Sequence, residues 1–106
     1  MGYAKERGKL EKLQGRIVNM NTFDQKNLAI LVDSHEKYSH TVRILKNKEP
    51  EAFTEFYATD LQAIKDGRKA VKEAEEEEPR QQAFMVYKNA ILTAIEKTIA
   101  ATLTFV

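Results

Sequence analysis

The chain contains no cysteine, which excludes a disulfide framework, a thiolate nucleophile and any zinc site built on sulfur. Proline and glycine are scarce, two and four residues respectively, so nothing in the sequence has the composition of a linker between domains. Long apolar runs are missing as well. The longest, Leu28 to Val32, has five residues, against about 20 needed to cross a bilayer. Met1 to Arg16 is charged throughout and carries no apolar core of the kind a signal peptide requires, so neither secretion nor membrane insertion is expected and the cytoplasm is the default compartment. Nor is there an excess of one sign of charge. The formal net charge of +1 argues against attraction of the whole molecule to nucleic acid or anionic membranes and confines any such affinity to a local patch.

What is present suits amphipathic helices. Hydrophobic residues make up 42% of the 106 positions and charged residues 31%, too apolar for a disordered chain and rich enough in charge to solvate outer faces. A chain of this length is expected to form a single helical domain, because smaller pieces would not bury a core. Four segments, at about 3–20, 22–46, 50–78 and 80–104, hold nearly all the apolar residues. In the first, Leu10, Leu13, Ile17 and Met20 recur at steps of three and four, a stripe weakened by Gly8 and Gly15. In the second, Leu28, Leu31, His35, Tyr38, Val42 and Leu45 form one stripe, and Lys26, Asp33, Glu36, Lys37, His40 and Arg43 fall opposite it. The third places Phe53, Phe56, Tyr57, Leu61, Ile64 and Val71 on one face, with Gly67 as its weak point; the fourth carries Phe84, Tyr87, Ile91, Ile95 and Ile99.

The breaks have their own chemistry. Thr22 and Gln25 have the spacing of a capping box at the start of the second helix. Pro50 suits the first turn of the third, and Pro79 restarts the chain for the fourth. Short connections between long helices predict an all-α, antiparallel, up-and-down bundle of about four helices. The competing reading is an α+β fold with a hairpin at 27–45, since Tyr38 to Leu45 is rich in β-branched residues and alternates acceptably as a strand. Its turn, Asp33 to Lys37, lacks the glycine that short hairpins favour.

Candidate surfaces follow from charge and apolarity. The C-terminal stretch from Thr98 to Val106 is uncharged, and Leu103, Phe105 and Val106 are expected to bind a protein partner or a second copy of the chain, guided by the acidic run Glu75, Glu76, Glu77 and Glu78. Lys5, Lys9, Lys12 and Arg16, with Arg7 nearby, place a row of cations on the first helix that can track phosphates without reading sequence, although Glu6 and Glu11 interrupt it. Lys65, Arg68, Lys69 and Lys72 form a second basic group, for which pairs of Asp66 with Lys69 and Lys72 with Glu76 would be the ordinary neutralisation.

Signatures of chemistry are sparse. His35 and His40 are the only histidines, and a carboxylate-bridged dimetal site would need a second Glu-x-x-His motif that the sequence lacks, so no metal or other cofactor is expected. His35 is expected in the core or at its boundary, making a local hydrogen bond, and His40 on the polar side. A glycine-rich phosphate loop, a Gly-x-Ser-x-Gly elbow and a His-Glu-x-x-His sequence are all missing, and no catalytic residue is nominated. The expectation is therefore a non-enzymatic interaction protein: a small helical homo-oligomer acting as adaptor, assembly factor or inhibitor on a larger protein. A nucleic-acid-associated protein using the basic first helix is the alternative, and a small-ligand-binding bundle the second alternative.

Overall fold

The computed structural model describes residues 3–104, the side chain of Phe56 excepted. Helix α1 spans Ala4–Ile17, α2 Gln25–Lys48, α3 Pro50–Glu55, α4 Leu61–Glu73 and α5 Glu77–Thr104, with a π-helical turn at Phe56–Asp60 joining α3 to α4. The fold is an all-α bundle, and the 27–45 hairpin is overturned: those residues lie inside the single 24-residue helix α2. Burial decides the matter. Leu31, His35, Tyr38, Val42 and Leu45 are all buried while Glu36, Lys37, His40 and Arg43 are exposed, a division that a helix achieves and alternating strands cannot.

Cross-chain contacts set the topology. Arg16 on α1 meets Asp33 on α2, and Lys48 at the end of α2 meets Glu6 at the start of α1, so these helices are antiparallel. Arg7 reaches Thr102 near the end of α5, while Gln81 near its start holds the loop after α1, which makes α1 and α5 antiparallel too. Lys97 of α5 pairs with Asp60 just before α4, and Gly67 of α4 lies against Tyr87 of α5. The helices therefore form a ring in the order α1, α2, α4, α5, with Tyr38 of α2 reaching diagonally across the core to Ala94 and Thr98 of α5.

Several boundaries differ from the sequence expectation for definable reasons. Helix α2 is capped by Asp24, whose Oδ1 accepts from the Asn27 N–H at 2.7 Å; the Asn27 side chain in turn donates to the Thr22 carbonyl, so the Thr22–Gln25 capping box does not form. Helix α1 stops at Ile17 and not near Met20. The following loop is pinned from α5 by Gln81, which accepts from the Phe23 N–H and donates to the Asn21 carbonyl. Pro50 opens α3 as expected, but Pro79 lies inside the first turn of α5, where its missing N–H costs nothing. That moves the break upstream to Ala74–Glu76 and divides the acidic run, leaving Glu75 and Glu76 in the connection and Glu77 and Glu78 at the positive end of the α5 dipole.

The π-helical turn has a register explanation. Phe53 and Leu61 are both buried and eight positions apart, which in an unbroken α-helix would leave them about 80° apart around the axis. Widening the turn at Phe56–Asp60 takes up that offset and returns Leu61, Ile64, Gly67 and Val71 to the core. Gly67 has an equally local cause. A Cβ there would come within 2.9 Å of the Tyr87 Cα, so its lack of a side chain lets α4 and α5 approach. No described residue has a positive φ, so the requirement is for space alone.

Candidate functional site

The charged surface is organised around α2, whose exposed crest separates two grooves. On one side, Lys9, Lys12 and Arg16 of α1 face Lys37 and His40 of α2 across a groove of about 600 Å³ floored by Leu13 and Thr41. On the other, Lys65, Arg68, Lys69 and Lys72 of α4 face His35 and Glu36 across a groove of about 550 Å³. Each row repeats at helical i, i+3 and i+4 steps, so its cations project from one side of the helix. Glu36 lines both grooves and, with Asp33, supplies the negative charge on the crest.

Most of these cations are not neutralised. Asp33 serves both Arg16, at 2.6 Å, and Lys37, at 3.0 Å, and hydrogen bonds from the two cations hold its carboxyl below the usual carboxylate range. Among the described residues, Lys9, Lys12, Lys65, Arg68, Lys69 and Lys72 have no carboxylate within ion-pair distance. The expected pairs of Asp66 with Lys69 and Lys72 with Glu76 do not form. Asp66 instead accepts from Gln62 at 2.9 Å, and the end of α4 at Glu73 takes Glu76 off the helical register that would present it to Lys72. Glu6, expected to interrupt the α1 row, turns inward, where it is buried and paired with Lys48. Arg7 leaves the row as well, donating to the Thr102 hydroxyl and carbonyl. Lys5 remains exposed but does not line the groove.

Beneath the α4 row, His35 is buried and its Nδ1 lies 3.1 Å from the Tyr87 hydroxyl, a contact between α2 and α5 where a local bond was expected. Burial, with Arg68 and Lys65 nearby, pushes the imidazole pKa down and favours the neutral ring, whose tautomer sets which of the two groups donates. Burial raises the Tyr87 phenol to about 12. The pair is thus a fixed hydrogen bond supporting the groove floor. His40 is exposed, as its place on the polar side predicts. Among the described residues, no group of three or more metal-ligating side chains is arranged to hold an ion, and no helix is long and apolar enough to cross a membrane.

The described members of the expected partner-binding set lie in two places. Leu103 is exposed, and so are Glu75 to Glu78, but they sit at opposite ends of α5, separated by about 40 Å at 1.5 Å per residue. Phe105 and Val106 lie outside the described residues. Sequence reasoning found both cation groups but not their juxtaposition on either side of α2, which depends on the order of helices in the ring. Comparison with family models, curated proteins and solved structures finds no match to this chain.

Proposed function

We propose that this chain is a non-enzymatic interaction protein whose α1–α2–α4 face docks an anionic region of a larger protein partner. The observation that carries the reading is the set of six cations, from Lys9 and Lys12 to Lys65, Arg68, Lys69 and Lys72, that lack a carboxylate partner among the described residues and stand on the lips of two neighbouring grooves. A solvated face needs no such segregation. The same chain does bring carboxylates onto other cations: Asp33 onto Arg16 and Lys37 at the first groove, and, away from both grooves, Glu6 onto Lys48 and Asp60 onto Lys97. Concentrated like charge raises the local potential, steers an oppositely charged partner and speeds encounter, while the net charge of +1 limits attraction between unrelated molecules at longer range.

A nucleic acid is the second reading, favoured by the regular spacing of the α1 row but opposed by Asp33 and Glu36 on the crest, which would lie against phosphates. Adaptor, assembly-factor and inhibitor roles are all compatible with such a face, and a homo-oligomer built on α5 leaves it free. The test is an amide NMR titration with an oligoglutamate peptide and, separately, a short DNA duplex. Shifts at Lys12, Lys37, Arg68 and Lys72 support the reading. Shifts confined to the outer side of α5, at Val86, Asn89 and Leu103, or none with either probe, contradict it.

A further inference from the structure

We infer that the seam between α2 and α4 is the seat of an amphipathic helix with one acidic flank, supplied by a partner protein; this rests on the anionic-partner reading above. Arg68 and Lys72 line two grooves at once. One is the basic groove already described, and the other is a groove of about 390 Å³ floored by Phe23, Leu28, Val32 and Val71. Shared walls make them a single trough along the seam. On the α2 side it extends from Gln25 to Glu36, about 16 Å, enough for about three turns of a docked helix.

The chemistry of the trough specifies its occupant. Leu28, Val32 and Phe23 are only half-buried although they pack against the core, so they retain apolar surface for a partner to cover. The two lips differ in charge. The α4 lip carries Lys65, Arg68, Lys69 and Lys72, whereas the α2 lip presents Gln25 and Glu36. A complementary ligand has a central apolar stripe, carboxylates along the α4 side and neutral or basic residues along the α2 side. Arg80 does not add to the free charge: its guanidinium donates to the Ala74 and Glu75 carbonyls and lies over the Phe23 ring.

Helical form follows from the backbone. Apart from Phe23 and the helix-end residues Gln25, Val71 and Lys72, the lining residues lie in helices whose peptide groups are engaged internally, so an extended segment finds no sheet edge to pair with, whereas a helix arrives with its own hydrogen bonds made. Phosphate chains fit less well. They would leave the Leu28 and Val32 surface uncovered and place charge beside Glu36; of the rings lining the trough, His35 is buried, and Phe23 already has Arg80 over one face and Phe84 in a T-shaped contact.

The test is fluorescence anisotropy with a labelled peptide of about sixteen residues, leucines at i, i+3, i+4 and i+7 spacing and glutamates on one flank. A scrambled peptide of the same composition and a duplex of similar length serve as competitors, and sedimentation of the free protein reports self-association. The patterned peptide is expected to bind about tenfold more tightly than the scrambled one, a difference of about 1.4 kcal/mol. Arg68→Glu with Lys72→Glu should remove at least that factor, while Lys9→Glu with Lys12→Glu on the other groove changes affinity less than about twofold. If the first double variant melts early, Lys65→Gln with Lys69→Gln, both exposed, replaces it.

Equal binding of patterned and scrambled peptides, lost together on charge reversal, overturns the helical inference and leaves the reading of a basic face for an anionic partner standing. Preference for the duplex overturns it in favour of nucleic acid, and self-association abolished by Arg68→Glu with Lys72→Glu overturns it in favour of a second copy. Binding of none of the probes overturns both this inference and the reading beneath it.

Discussion

Replacing Gly67 by alanine tests the helix packing more sharply than any other single change. In an exposed helix interior, Gly→Ala stabilises by up to about 1 kcal/mol because glycine has more backbone freedom to lose. At Gly67 the new methyl would stand 2.9 Å from the Tyr87 Cα and 3.3 Å from its Cβ. Backbone cannot swing aside as a lysine tip can, so α4 and α5 must separate along their closest line. Overpacking of this kind costs about 1–3 kcal/mol, which outweighs the propensity gain. The net expectation for Gly67→Ala is a loss of about 1 kcal/mol, or a fall in Tm of about 4–8 °C for a domain near this size. Gly15→Ala is the matched control: nothing lies within 4 Å of its added Cβ, and it should stabilise by a few tenths to about 1 kcal/mol. Urea unfolding followed by circular dichroism at 222 nm measures both. Equal stabilisation by the two substitutions would refute the close approach of α4 to α5.

Other consequences can be checked with the same material. Tyr38→Phe removes a buried hydroxyl that lies 2.9 Å from the Thr98 hydroxyl and 3.4 Å from the Ala94 carbonyl, and should cost about 1–2 kcal/mol in urea unfolding. Because the folded-state pKa of His35 is depressed, the unfolded chain binds its proton first as pH falls; the stability present above about pH 6.5 should decline on acidification through the folded pKa, and His35→Gln should flatten that slope. Leu103→Ser, at an exposed site, should change stability by no more than about 0.5 kcal/mol. A larger loss in an unfolding titration would mean that Leu103 is covered by a partner copy.

Much of the architecture was legible from apolar spacing. The 3-4-3-4-3 stripe from Leu28 to Leu45 identifies α2 because a rod must hide one side, and the strand alternative needs a turn at Asp33 to Lys37 that lacks the glycine short hairpins favour. Pro50 marked a true boundary. Pro79 misled because proline is as acceptable within the first turn of a helix as before it, so the break at Ala74–Glu76 fell upstream. The π-helical turn was not legible, because the eight-residue step from Phe53 to Leu61 also fits the apolar face of an uninterrupted helix. Gly67 read as a weakness in isolation and proves to be a spacing device, a property set by its neighbour on α5.

The candidate site was legible in pieces. Each cation row follows from helical periodicity, but whether a cation is neutralised depends on tertiary choices. Glu6 could have tempered the α1 row and instead serves Lys48, while Asp66 faces Gln62. The same holds for the apolar floor of the α2–α4 seam, since Leu28 reads as core in the stripe yet keeps one side at the groove. Local sequence states which residues are available; the order of helices around the ring decides which of them meet.

The most direct trial of the central claim compares capture of an anionic probe by the native chain and by a variant carrying Lys12→Glu and Lys69→Glu, one reversal on each lip, at about 50 mM and about 200 mM salt. The account predicts binding by the native chain that weakens markedly at the higher salt, and its loss in the variant at both concentrations with an unchanged melting temperature. Undiminished binding by a folded variant would contradict it.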